Sequence, residues 1–257
     1  PYNSLGASFD VRFKAFSRDF FSLGFNLMHD VAGQNDFTID RLHLSGSYMK
    51  QLAGLYDDFD SYLVLGFQAG AGKHQLGNNN YWFYNDFNFA TAAPPGAGTS
   101  SGPVASETDL YIDGNIGLLW FAVFEENKSV YLGGSYFHAN EPDISFLGSS
   151  DIVLDARLLG HAGAELPLSK SMSILPNIMY TQQSSFTQAL FGMNLRYNSR
   201  YFRELALRAG AWVRMANSID GLSSESVIPA VMLEYQNWLF GLSYEINATE
   251  ITSINQG

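Results

Sequence analysis

Apolar and polar residues alternate along most of this chain. From Ala7 to Ala15 one side reads Ala7, Phe9, Val11, Phe13, Ala15 and the other Ser8, Asp10, Arg12, Lys14. Successive side chains of a strand point to opposite faces, so such a segment lies between an apolar medium and a wet one. The same split recurs at Phe21/Leu23/Phe25/Leu27 and at Leu205/Leu207/Ala209/Ala211/Val213. The alternation predicts twelve strands, near 6–16, 20–29, 39–51, 61–72, 109–124, 129–139, 155–166, 173–183, 187–198, 204–215, 226–236 and 238–247. Each is close to the about ten residues that a tilted strand needs to cross a bilayer.

The apolar side of nearly every segment is free of charge. Examples are Leu42/Leu44/Gly46/Tyr48, Leu63/Leu65/Phe67/Ala69/Ala71 and Trp238/Phe240/Leu242/Tyr244/Ile246. A charge facing lipid near the midplane costs about 2–4 kcal/mol, which explains the exclusion. Lipid admits only helices and closed barrels. The expected fold is therefore all-β, a transmembrane antiparallel barrel in a single domain over 1–257. Residues 129–139 carry the weakest pattern, with both faces mixed. Pro176 and Pro229 fall inside strands and need a bulge or a strand end, because proline removes a ladder donor.

The connections mostly alternate in length. Short ones are expected at 17–19, 125–128, 167–172, 199–203 and 236–237, and longer ones at 30–38, 73–108, 140–154 and 216–225. The connections at 52–60 and 184–186 fit less well. Hairpins pointing in turn to two sides of a membrane give this parity, with short turns periplasmic and long loops extracellular. Aromatics such as Phe16, Phe20, Phe21, Trp120, Phe121, Phe124, Tyr201, Phe202, Tyr235 and Trp238 lie beside the short turns, where an interfacial girdle is expected.

Composition narrows the classes. The 25 acidic and 14 basic residues give a net charge of −11, which argues against nucleic acid as a partner. There is no cysteine, so disulfides and thiolate metal sites are excluded. No apolar run reaches the ~18 residues of a membrane-spanning helix. Because the sequence starts at Pro1, a mature or trimmed chain is expected.

Little in the chain points to catalysis. His29 near a strand end has no serine at a recognisable spacing. Asp155, His161 and Glu165 share one face, but spacings of six and four residues put neighbours ~13 Å or more apart along a strand, too far to ligate one ion without partners from elsewhere. Gly70-Ala71-Gly72-Lys73 lacks the phosphate-loop pattern. No enzymatic activity, cofactor or metal is expected. The inward side carries mixed charges, including Asp10, Arg12, Lys14, Asp113, Arg157, His161, Glu165, Arg196, Arg208, Arg214, Glu234 and Glu245. They predict a salt-bridged wet wall; a selective pore favours a ring of one sign. Tyr81, Trp82, Phe83, Tyr84 and Phe87, in the long extracellular loop 73–108, form an aromatic patch suited to a partner or to a lid over the mouth. Glu141, Asp143 and Phe146 in the 140–154 loop belong to the same side.

Four segments in order resemble the PorP/SprF family of type IX secretion systems. They are Asp19–Gly33 (Gly24, Asp30, Ala32 and Gly33), Tyr131–Leu147 (His138, Pro142, Ser145 and Phe146), Leu175–Gln183 (Leu175, Pro176, Tyr180 and Gln183) and Leu239–Thr249. In the last, Glu245 and Thr249 stand where the family usually has Asp and Ser. The family's Asn-Pro-Ala-bearing first segment and closing Gly-x-His-Glu-Ile strand are absent, so a truncated chain is expected, with about 14 strands in the complete barrel. The resemblance implies a multi-pass protein of the bacterial outer membrane, bathed in its lipids and serving secretion and gliding. It implies retention of exported proteins at the cell surface through the C-terminal domain of a secreted protein or adhesin. A periplasmic lipoprotein or peptidoglycan-binding protein is a further implied partner. The alternative is an outer-membrane channel or transporter for small hydrophobic or nutrient substrates.

Overall fold

The structure is a computed structural model and describes residues 2–16, 18–33, 36–54, 59–77, 107–125, 127–146, 152–199, 204–218, 221–236 and 238–248. All its regular elements are strands: β1 (Tyr2–Lys14), β2 (Phe20–Ala32), β3 (Phe37–Ala53), β4 (Asp60–Gln75), β5 (Tyr111–Glu125), β6 (Lys128–Phe137) and β7 (Arg157–Ser169). There follow β8 (Met172–Gln183), β9 (Phe186–Asn198), β10 (Leu205–Ser218), β11 (Gly221–Tyr235), β12 (Trp238–Ser243) and β13 (Ile246–Asn247). They form one sheet in chain order from β1 to β12, every neighbour antiparallel, with β13 continuing on β11. This is the up-and-down order of a membrane barrel.

The outward faces are the apolar ones. Leu44 is 64% exposed, Phe67 55%, Leu118 50% and Val231 52%. The inward side chains reach across intervening strands: Arg196 of β9 touches both β7 and β11. The apolar surface is therefore on the convex side and the polar residues on the concave one.

The two prolines are accommodated as gaps in the ladder. Pro176 pairs with Met193 of β9, but the β7–β8 ladder is interrupted between Gly163/Asn177 and Leu166/Ile174. Pro229 pairs with Ala211 of β10, and on its other side the last strand splits into β12 and β13. Tyr244 N–H still donates to Pro229 O at 3.1 Å, but Pro229 has no N–H to return the bond.

Two expectations need correction. The longer connections expected at 30–38 and 216–225 are mostly strand: β2 runs to Ala32 and pairs there with Phe37 of β3, and Ser218 of β10 pairs with Gly221 of β11. Phe20 and Phe121 face inward, not into a girdle. Arg12 lies over the Phe20 ring, and Phe121 stacks on Tyr62 with ring centres 5.0 Å apart. Trp120, Tyr235 and Trp238 do face outward; Trp120 Nε1 donates to Ser61 Oγ at 2.9 Å. Tyr201 and Phe202 lie outside the described residues.

Candidate functional site

The inner wall has three zones. Near the short turns, β7, β9, β10 and β11 present Glu165, Arg196, Arg208 and Glu234. Arg196 donates from Nη1 to Glu165 Oε1 at 3.0 Å and to Asn127 Oδ1 at 2.9 Å. Its Nε and Nη2 reach Glu234 Oε2 at 3.0 and 2.8 Å, and Arg208 pairs with Glu234 from the other side. The expected salt-bridged wall is thus present as a chain of alternating charge, stretched from β7 to β11 and tied to the β5–β6 turn. Arg214 and Glu245, 2.5 Å apart, add a pair nearer the other end.

The middle zone is open. A cavity of about 380 Å³ lies against β2–β6. Ser22, Ser47, Gly66, Gly117 and Ser135 follow one another in register around its wall. Small side chains at these positions create the space. Gln68 and Asn115 add hydrogen-bonding groups, joined at 2.9 Å.

The long-loop end is fastened from inside. Asp113 of β5, 2% exposed, receives His43 Nε2 at 3.1 Å and His138 Nδ1 at 2.9 Å. His138 starts the β6–β7 connection with φ 56°. Its N–H donates to Asn115 Oδ1 at 2.8 Å. Asn140 Nδ2 donates to Ile112 O at 2.6 Å, and its Oδ1 accepts from Gly114 N at 2.9 Å. Further on, Leu154 N bonds Pro142 O and Ile144 N bonds Ile152 O, so the connection doubles back on itself. Buried polar groups need such partners, and here they hold the connection against the wall of β5. Among the described residues, no group of three or more His, Asp or Glu is arranged to hold a metal ion.

The sequence-derived site residues separate. Tyr81, Trp82, Phe83, Tyr84 and Phe87 lie outside the described residues. The stretch that leads to them begins later than expected, because β4 continues to Gln75, and it is anchored on return by a bridge between Gln75 and Glu107. Glu141 and Asp143 are exposed on the β6–β7 connection. Asp143 Oδ1 accepts from Ser145 N at 2.8 Å, which shapes a local turn. Phe146 turns back to the sheet, its ring 6.4 Å from that of Phe37 at the end of β3. It packs as part of a cover and is half-buried. The Asp113 clamp escaped sequence reasoning. His43 and Asp113 are 70 residues apart, and only strand register brings them together.

The motif residues have structural roles here. His138 bonds Asp113, Pro142 and Ser145 are buried, and Phe146 covers Phe37. Asp30 of β2 receives Arg41 Nη2 at 2.8 Å, and Gln183 Nε2 donates to Asp155 O at 2.9 Å. No curated protein matches the chain. A family described as type IX secretion system membrane protein PorP/SprF matches residues 1–257. The described residues of that match form one all-β sheet with its apolar face outward, and the chain belongs to the PorP/SprF family of type IX secretion membrane proteins.

Proposed function

We propose that the protein spans the outer membrane as a non-enzymatic β-barrel and retains the C-terminal domain of exported proteins on its long-loop side. The observation that carries this reading is the ion-paired chain Glu165–Arg196–Glu234–Arg208 across the inner wall near the short turns. Mutually neutralised charges that bridge strands stiffen and fill a barrel interior, and they favour a docking platform over a conduit. At the opposite end the β6–β7 connection is pinned in place and offers Glu141 and Asp143 to solvent. A pinned loop loses less conformational freedom on binding than a free one.

The aromatic patch from Tyr81 to Phe87 supplies the anchor. Truncating a buried aromatic at an interface typically costs ~2 kcal/mol or more. Trp82→Ala with Tyr84→Ala should release the surface-anchored partner while leaving heat-modifiable gel mobility unchanged. Folded variants that keep the full complement of partner exclude this patch. The rival channel reading predicts steady conductance of the purified protein in planar bilayers; the platform reading predicts none.

A further inference from the structure

We propose that the outer surface of β1–β4 holds a phospholipid whose headgroup joins a phosphate to a primary ammonium group. The inference rests on the reading that the convex face meets lipid.

The alternation of apolar residues on this face stops short of the strand ends. β3 and β4 extend past Leu42 and Ala71, and there the outward positions become charged. His29, Asp40 and Lys73 are direct register partners across β2, β3 and β4. His29 Nδ1 lies 2.6 Å from Asp40 Oδ1, and Lys73 Nζ lies 2.7 Å from Glu107 Oε2. About half of each of the His29 and Asp40 side chains is exposed.

Immediately below this row is a groove of about 580 Å³. Leu5 and Leu110 stand 72% and 70% exposed as its walls. Leu27 and Leu42 lie between them, and Ala7 and Ala71 give it depth. An apolar groove capped by charges at the edge of an apolar belt has the two-part chemistry of an acyl lipid: hydrocarbon below, headgroup above.

The charges select the headgroup. With the Asp40 and Glu107 carboxylates set against Lys73 and His29, the row carries no excess of positive charge, so a purely anionic headgroup is poorly matched. A zwitterion fits. Its phosphate meets Lys73, and its ammonium meets the Asp40 oxygen not engaged by His29. A primary ammonium donates three hydrogen bonds, and a trimethylated one donates none.

The test uses the purified protein, exchanged into detergent with equimolar phosphatidylethanolamine, phosphatidylglycerol and phosphatidylcholine, and read by native mass spectrometry. Wild type should retain phosphatidylethanolamine over either competitor by about tenfold, a difference of ~1.4 kcal/mol. Asp40→Asn and Lys73→Gln should each erase that preference, whereas Asp10→Asn on the inner wall should leave it intact. Equal retention of the three lipids by wild type, or an unchanged preference in both outer variants, overturns the site while leaving the membrane-spanning reading standing. Retention of no lipid at all overturns both.

Discussion

His138 Nδ1 lies 2.9 Å from Asp113 Oδ1, and through this contact the first residue after β6 is locked to the inner wall of β5. The Asp113 side chain is 3% exposed and His138 8%, so neither group exchanges its partner for water. The Asp113 carboxylate thus fixes the start of the β6–β7 connection, and the Asn140 side chain, bonded to Ile112 O and Gly114 N, holds the next turn that leads to Glu141 and Asp143.

Removing His138 should loosen that connection before it unfolds the sheet. Leaving a buried acceptor without its donor costs about 1–3 kcal/mol. His138→Ala should expose the segment around Glu141–Phe146 to protease in folded protein, while His43→Ala, which spares the loop's own contact, should do so less. Equal resistance of both variants to cleavage removes the clamp as the ordering element.

Glu234 is the shared partner of Arg196 and Arg208. Glu234→Ala takes the carboxylate from Arg208 and leaves Arg196 with Glu165 and Asn127, and should destabilise the fold by about 1–3 kcal/mol, the range for a buried polar group left unsatisfied. Urea unfolding in detergent measures the loss. Glu165→Ala, which leaves Arg196 its Glu234 contacts, should cost clearly less.

Charge on the two faces should have unequal effects. Arg at Leu65, Leu207 or Val231 meets lipid and should impair assembly by about 2–4 kcal/mol at mid-depth. Arg at Ser47, which borders the open cavity, should be tolerated. Asn194, inward but only 5% exposed, lacks that space and should tolerate Arg poorly. The fraction of folded species in heat-modifiable gels ranks the variants, and equal yields at Leu65 and Ser47 contradict the facing.

Asp19, in the β1–β2 turn, has its carboxyl held below the ordinary carboxylate range. The Tyr48 hydroxyl donates to it at 2.5 Å, and the Gln51 backbone N–H donates at 3.1 Å. A carboxylate whose folded pKa is depressed stabilises the fold above its unfolded pKa of about 3.9, and that contribution disappears as the pH falls through the lower folded value. Tyr48→Phe should move the Asp19 titration upward toward the ordinary value, read by carboxyl NMR. An unmoved titration assigns the shift to another cause.

The orientation is open to direct measurement. A tag placed within 92–102 should be reached by antibody on intact cells, and one in the β5–β6 turn only after permeabilisation. The reverse pattern places the long loops in the periplasm and removes the cell-surface reading.

Period-two alternation by itself determined the class of the fold, the number of full strands and which side chains face out. On the membrane-spanning reading each outward position imposes its own constraint on residue type, so the exposed Phe9, Leu44, Leu118 and Val231 are readable one at a time. The alternation loses force toward the strand ends, where the outward positions also turn charged, as at Asp40 and Lys73. That is why the ends of β4, β10 and β11, with Lys73 and Asn217, read as loop. Aromatic content beside a turn likewise does not state direction, and Phe20 and Phe121 point inward. Only the tertiary structure decided the pairings across the interior. Asp113 with His43 and His138, and Glu234 with Arg196 and Arg208, depend on register and on the curvature that brings non-neighbouring strands within reach, and neither is a local property of the chain.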